Sequence, residues 1–203
     1  MILRVPFKST SEIRQAAEDV VALHLGSLRP PINVDLPVEA AFGLDIIPIP
    51  GYKSLAGVDG ALSADLSSIT IDQWVMEDRP NRYRFTLAHE LGHRILHADL
   101  IGALVEHGTG HWKQAVQAID AQSYSLIERQ ANLFAGHLPA PTQPLLDHYR
   151  VMAERALAHG IRLDEAGDYA MQQVAAAIAD VFKVSAEVIT IRLREAGILP
   201  TNR

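Results

Sequence analysis

The chain has no cysteine among its 203 residues. No disulfide can hold its fold, and any zinc it binds must be gripped by histidines and carboxylates. No apolar run approaches the roughly 20 residues needed to cross a membrane. The opening stretch, Met1 to Lys8, lacks the longer apolar segment and the cleavage site of a signal peptide. Positive charge is in deficit, with 18 Lys and Arg against 24 Asp and Glu and a formal net charge of −6. That balance argues against a surface devoted to nucleic acid. Taken together, these absences lead one to expect a cytoplasmic protein with no membrane partner.

What is present suits a soluble globular chain: 48% hydrophobic and 21% charged residues. The length fits one ordinary domain, or one domain with a small appendage, and is ample for a buried core.

The most informative stretch runs from Arg84 to His97 and contains His89-Glu90-Leu91-Gly92-His93. Leu87, Leu91 and Ile95 recur every four residues without a proline, so the stretch is predicted to be one helix. At a rise of about 1.5 Å per residue, His89 and His93 share one face about 6 Å apart along the axis. Two imidazoles so placed can hold one ion, and zinc is the usual choice. Glu90 stands next round the turn, able to reach a water on that ion without ligating it. Gly92 costs about 1 kcal/mol relative to alanine inside a helix, which implies that something packs closely on it.

Before this helix, Ser9-Thr10-Ser11-Glu12 caps an amphipathic helix that Arg29-Pro30-Pro31 is expected to end. Val38 to Phe42 reads as a short helix. Residues 44–50 read as an edge strand because of their prolines. A turn-rich stretch from Gly51 to Gly60 follows. Residues 61–65 and 68–72 then read as a hairpin around Leu66-Ser67. The small sheet has two readings: it holds an extended peptide by strand addition, or it covers one side of the helix.

After His97, residues 98–123 show weak periodicity and carry His107 and His111 among glycines, as a mobile loop would. A second strong helix covers Ser125 to Ala135, with Ile127, Ala131 and Phe134 on its core face. Glu128, 35 positions after His93, is the expected third ligand of a two-histidine, one-glutamate site. Residues 138–141, with two prolines, end that helix. Leu145, Leu146, Tyr149, Met152 and Ala156 are expected to pack a further helix on the catalytic body. From residue 168 the pattern is helix, turn at Lys183-Val184, then Ser185 capping a last helix, the outline of a helix-turn-helix. From residue 171 onward it carries four Lys or Arg and three Asp or Glu. With no basic stripe, this unit reads as a packing or partner-docking element.

Such a site leaves one zinc position for water, which Glu90 would deprotonate for attack on a peptide carbonyl. Asn132 is placed to orient a ligand histidine by hydrogen bonding. His97, four residues past His93, either does the same or is simply a packed histidine. Tyr124, His111 and His137 are candidate oxyanion donors.

The series Phe85-Thr86-Leu87-Ala88-His89-Glu90-Leu91-Gly92-His93 with His97, then Glu128-x-x-Ala131-Asn132-x-Phe134-Ala135 and Leu138-Pro139, resembles the ImmA/IrrE family of bacterial and phage metallopeptidases. The resemblance covers roughly residues 40–140. It implies a gluzincin-like site with His89, His93 and Glu128 on Zn2+ and Glu90 as catalytic base. It further implies a protein substrate, commonly a helix-turn-helix repressor encoded beside the peptidase, and in some members a toxin–antitoxin setting. The C-terminal Val184-Ser185 and Arg192-Leu193 also match the family's pattern. Residues 98–123 depart from it as an insertion-like stretch, and residues 138–141 depart in lacking a longer apolar run.

The resulting expectation is an α+β, mainly helical, zincin-like metallopeptidase domain over residues 1–160 with a small sheet. A C-terminal helix-turn-helix-like unit over 161–203 packs on it. The leading reading of function is a zinc endopeptidase that cleaves a repressor or antitoxin. The alternative is a toxin or regulator that acts mainly by binding its partner. The presence of Glu90 favours the first, because a structural zinc needs no base.

Overall fold

Ser9 begins the first helix through a reciprocal cap. Its hydroxyl accepts from the Glu12 amide at 3.3 Å, while the Glu12 carboxylate accepts from the Ser9 amide at 2.7 Å. In the computed structural model, which describes residues 5–106 and 119–199 (backbone alone for 104–106), helix α1 spans Thr10–Leu25. It buries Ile13, Ala17, Val20 and Val21 on one face. The helix ends at Gly26, not at the prolines beyond Arg29, because Gly26 adopts φ +63°, a left-handed turn that glycine takes without steric cost.

A π-helical turn, Pro37–Ala41, occupies the place of the expected short helix. The sheet has the order β1-β3-β2, from β1 (Asp45–Ile49), β2 (Gly60–Leu62) and β3 (Ser68–Asp72). β1 is an edge strand, as its prolines require. It pairs parallel with β3, Asp45 opposite Ser68, whereas β2 runs antiparallel to β3, Leu62 opposite Ile69. β2 is shorter than expected because the hairpin loop takes five residues, Ser63 to Ser67. There Asp65 accepts from the Ser67 amide at 3.1 Å and from the Ser63 hydroxyl at 2.6 Å.

Two short helices lie where sequence reading saw only connections. α2 (Tyr52–Ala56) sits between two left-handed glycines, Gly51 and Gly57. α3 (Gln73–Asp78) is capped by Asp72, which accepts from the Val75 amide at 3.3 Å. Next comes α4 (Pro80–Leu96), with proline in the first helical turn. α5 (Ala98–Glu106) takes the first part of the stretch expected to be a loop. Residues 107–118 of that stretch, with His107 and His111, lie outside the described residues, and its last residues, 121–123, already belong to the next helix. α6 (Ala121–His137) follows, capped by Asp120, and packs against α4 and α1.

The C-terminal third consists of α7 (Thr142–Ala158), α8 (Asp168–Phe182) and α9 (Ala186–Glu195). Lys183, at φ +56°, turns the chain between α8 and α9, and Ser185 caps α9. Helix, turn and capped helix follow the outline expected from sequence. Apolar side chains gather in two clusters. One joins α1, the sheet, α4 and α6 through residues such as Ile13, Ile69, Leu91 and Phe134. The other joins α7, α8 and α9 through Leu145, Ile178, Phe182 and Ile189. Tyr149, Met152 and Ala156 of α7 pack in this second cluster, so α7 faces the C-terminal helices and not the body around α4. Phe85 touches both clusters.

A buried cation closes the seam between them. Arg192, 2% exposed, donates to Glu195 at 2.6 Å, to Thr142 Oγ1 at 3.0 Å and to His137 Nε2 at 3.3 Å. Its guanidinium also reaches the Ala140 carbonyl at 3.4 Å. An arginine that sequence alone counts as surface charge is thus a tie between α9, the end of α6 and the start of α7.

Arg192→Met should cost roughly 1.5–3 kcal/mol, since it strands several hydrogen-bond partners of a charged group; urea unfolding measures it. Burial first, and then the Arg192 charge, push His137 from 6.5 to about 3. Between those values the unfolded chain binds the proton and the folded chain does not, so stability rises with pH. The contribution is complete above 6.5 and is lost as pH falls towards 3. His137→Gln should therefore lose less stability than the parent protein between pH 7.5 and pH 5.

Candidate metal centre

α4 places His89 and His93 one turn apart on one face, and α6 brings Glu128 to meet them. His89 Nε2 and His93 Nε2 lie 3.0 Å apart. The Glu128 carboxylate lies 3.4 Å from His89 Nε2 and 3.6 Å from His93 Nε2. All three ligand atoms fall within 4.8 Å of one another. The His93 side chain is 2% exposed and the Glu128 side chain 29%, so the trio is closed on the core side and open towards solvent.

The approach of the two helices depends on Gly92. A Cβ there would stand 3.2 Å from both Cβ and Cδ1 of Phe134, closer than side chains normally pack. The close neighbour implied by a glycine inside this helix is therefore Phe134. Leu87, Leu91, Ile127 and Ala131 complete the buried seam.

Glu90 is 6% exposed, and its carboxylate accepts from the Leu62 amide at 2.8 Å. Asp59 and Ser63 turn their backbone groups towards β3, so by alternation Leu62 turns its own outward. The outward Leu62 N–H of the edge strand is thereby taken by Glu90, and β2 covers this side of α4. Gly60 allows that contact, since a Cβ there would meet Thr86 Cγ2 and Ile71 Cδ1 at 2.7 Å.

A cleft of about 240 Å3 opens over these groups, lined by Asp59, Ala61, Phe85, Glu90, Tyr124 and Glu128 among others. Burial first, and then the charge and hydrogen bond of Glu128, raise the pKa of the Tyr124 phenol. Burial lowers the pKa of His89, but the Glu128 hydrogen bond and the charges of Glu90 and Glu128 outweigh it and raise the value. His93 is pushed well below its ordinary value, by burial and then by His89 and His97.

Asn132 Oδ1 lies 3.0 Å from His89 Nδ1, and His97 Nδ1 lies 3.2 Å from His93 Nδ1. Of the candidate oxyanion donors, Tyr124 lines the cleft. His137 does not, being enclosed with Arg192 and Glu195. His111 falls outside the described residues.

Three participants escaped the sequence reading. Gln130 contacts His97 Nε2 at 2.9 Å. It sits one turn before the buried Phe134, and a glutamine on a core face is a legible signal of a buried polar contact. Tyr52 lies within electrostatic reach of Glu90, its phenol raised by burial and then by that charge. The Leu62 amide is a backbone group, for which sequence carries no signal.

Fold and site together define an α+β, mainly helical, metallopeptidase-like domain. Residues 76–194 match the profile of a peptidase family described as the IrrE N-terminal-like domain. The match covers more than half of the chain, and the chain belongs to this family of metallopeptidases and IrrE-like regulators. A solved Mycobacterium tuberculosis transcriptional regulator shares the fold, with a TM-score of 0.56 and 16% identity over 94% of this chain. The chain spans 57% of the length of that regulator. No curated protein matches the chain. Among the described residues, no helix is long and apolar enough to cross a membrane.

Gly92→Val should destabilise the fold by about 1–3 kcal/mol, the usual penalty of overpacking. Urea unfolding reads the loss, and an unchanged midpoint would show that the seam tolerates a wider spacing.

Proposed function

We propose that the chain is a zinc-dependent endopeptidase in which His89, His93 and Glu128 hold the metal and Glu90 is the general base. The observation that carries this reading is the spacing of the three donors. Ligands at about 2.0–2.1 Å from a tetrahedral zinc stand about 3.3–3.4 Å from one another. Here the separations are 3.0, 3.4 and 3.6 Å. Two histidines and one glutamate are a catalytic zinc set, in contrast to structural sites that fill all four positions with protein ligands.

Zinc held by these three residues would supply Lewis acidity and would make a water at the site more acidic, with a pKa of about 7. The chain's own groups do the rest. Leu62 fixes the direction of the Glu90 carboxylate, which takes the proton of the attacking water and delivers it to the leaving amine. Asn132 and His97 orient the ligand histidines. Tyr124, at the cleft wall, is the oxyanion donor that the geometry favours.

The substrate in this reading is a regulatory protein, a helix-turn-helix repressor or antitoxin, following the family resemblance of the sequence. A second reading is a toxin or regulator that works by binding its partner. It draws on the fold shared with a transcriptional regulator and on the engagement of Glu90 by Leu62.

The test compares the parent protein with Glu90→Gln for zinc content and for cleavage of any helix-turn-helix repressor found encoded beside it. Both should bind about one zinc per chain, and the variant should cut 10²–10⁴-fold more slowly, the usual weight of a general base. If both bind zinc and hold the repressor but neither cuts, the binding reading replaces the peptidase. A parent protein without metal ends both the zinc assignment and the mechanism built on it.

A further inference from the structure

We propose that Gln130 is a positioning residue that determines, through His97, which nitrogen His93 presents to the metal. The inference rests on the zinc reading above for its functional consequence, but its hydrogen-bond polarity can be tested without metal.

A chain of hydrogen bonds leads from the exposed Pro6 through buried Gln130 and His97 to His93. The Pro6 carbonyl can only accept a hydrogen bond, and it lies 3.1 Å from the Gln130 side-chain nitrogen. That contact orients the amide, so Gln130 turns its oxygen towards His97 Nε2 at 2.9 Å. An amide oxygen can only accept, so His97 Nε2 carries a hydrogen. His97 is 2% exposed, and its ring nitrogens meet an amide oxygen and another imidazole, not a carboxylate. It is therefore the neutral ring, and its Nδ1 is left as an acceptor. His93 Nδ1 lies 3.2 Å from that acceptor and must be the donor. The lone pair of His93 then sits on Nε2, the nitrogen facing His89 and Glu128.

The hydrogen bonds from Pro6 to His93 thus have one consistent polarity. Gln130 is 1% exposed and His97 and His93 each 2%, so water does not compete between Gln130 and the ligand histidine. The other ligand histidine is served differently. His89 Nδ1 meets Asn132 Oδ1 directly at 3.0 Å, on the more exposed side of the site. The two ligands thus have separate supports, and the His93 support ends on a backbone carbonyl 124 positions from Gln130. Reversing the amide would place an N–H towards His97, move the His97 hydrogen to Nδ1 and leave His93 protonated on Nε2. That tautomer has no lone pair on Nε2, the nitrogen that faces His89 and Glu128.

The decisive measurement is long-range 1H–15N correlation NMR of the imidazoles in the metal-free parent protein. His93 should show a protonated Nδ1 and a bare Nε2, and His97 the opposite. A His93 protonated on Nε2 overturns the proposal with no mutation required. The second measurement compares zinc affinity, by chelator competition, in the parent and in Gln130→Met, which keeps the length of the side chain but not its acceptor. The variant should lose about 10–100-fold in affinity, as outer hydrogen-bond partners of zinc histidines do. It should also show mixed His93 tautomers, a signature that simple loss of packing would not produce. Unchanged affinity with an unchanged tautomer sinks the inference and leaves the zinc reading standing. If the parent binds no zinc, the zinc reading fails, while its NMR spectrum still decides the polarity of the chain.

Discussion

The close approach of α4 and α6 is the constraint on which the rest of the structure depends. α4 carries both histidines and Glu90, whereas α6 carries Glu128, Gln130 and Asn132. Their relative spacing therefore sets the distance from Glu128 to both histidines. That spacing is decided at Gly92, where the absence of a Cβ lets Phe134 settle against the helix backbone. The penalty of a glycine inside a helix, about 1 kcal/mol, is offset by the burial of an aromatic ring that is 0% exposed. The same contact that completes the core brings a carboxylate within 3.6 Å of two imidazoles. Stability and chemistry share one seam.

Around that seam, backbone groups do work usually credited to side chains. The Leu62 amide holds Glu90, the Pro6 carbonyl orients Gln130, and the Ala140 carbonyl receives Arg192. At Leu62 and Ala140 the backbone group itself is buried and would be costly if left unpaired, and at Pro6 the buried partner is the Gln130 amide, so each contact constrains the side chain that meets it. A small sheet and an N-terminal segment thereby become parts of the site without contributing a functional side chain. The C-terminal helices are attached by the same logic. Arg192 gathers contacts from α6, α7 and α9, and the family match runs through it to residue 194.

Much of this was legible in advance where the determinants are local. The Ser9–Glu12 cap, the edge position of the strand containing Pro48, the long helices around His89 and Glu128, and the turn before Ser185 all follow from short-range chemistry. The errors have local causes of another kind. Gly26 ended α1 before the prolines could. Asp72 capped a helix hidden between strand and helix, and α5 formed where glycines suggested a loop. The direction of β1 could not be read, because parallel pairing depends on a crossover and not on the strand itself.

Sequence by itself determined which residues could share a face: a four-residue spacing on a helix puts His89 beside His93 whatever the remainder of the chain does. It also determined the donor types, since a chain without cysteine has only nitrogen and oxygen to offer a zinc ion. Tertiary structure alone decided how far apart the two helices stand, which way Gln130 turns its amide, and that Arg192 lies in the interior. These are consequences of packing and of hydrogen-bond partners 28 to 124 positions away. Periodicity reports on neighbours within a helix or strand, and it carries no information about contacts made across the fold.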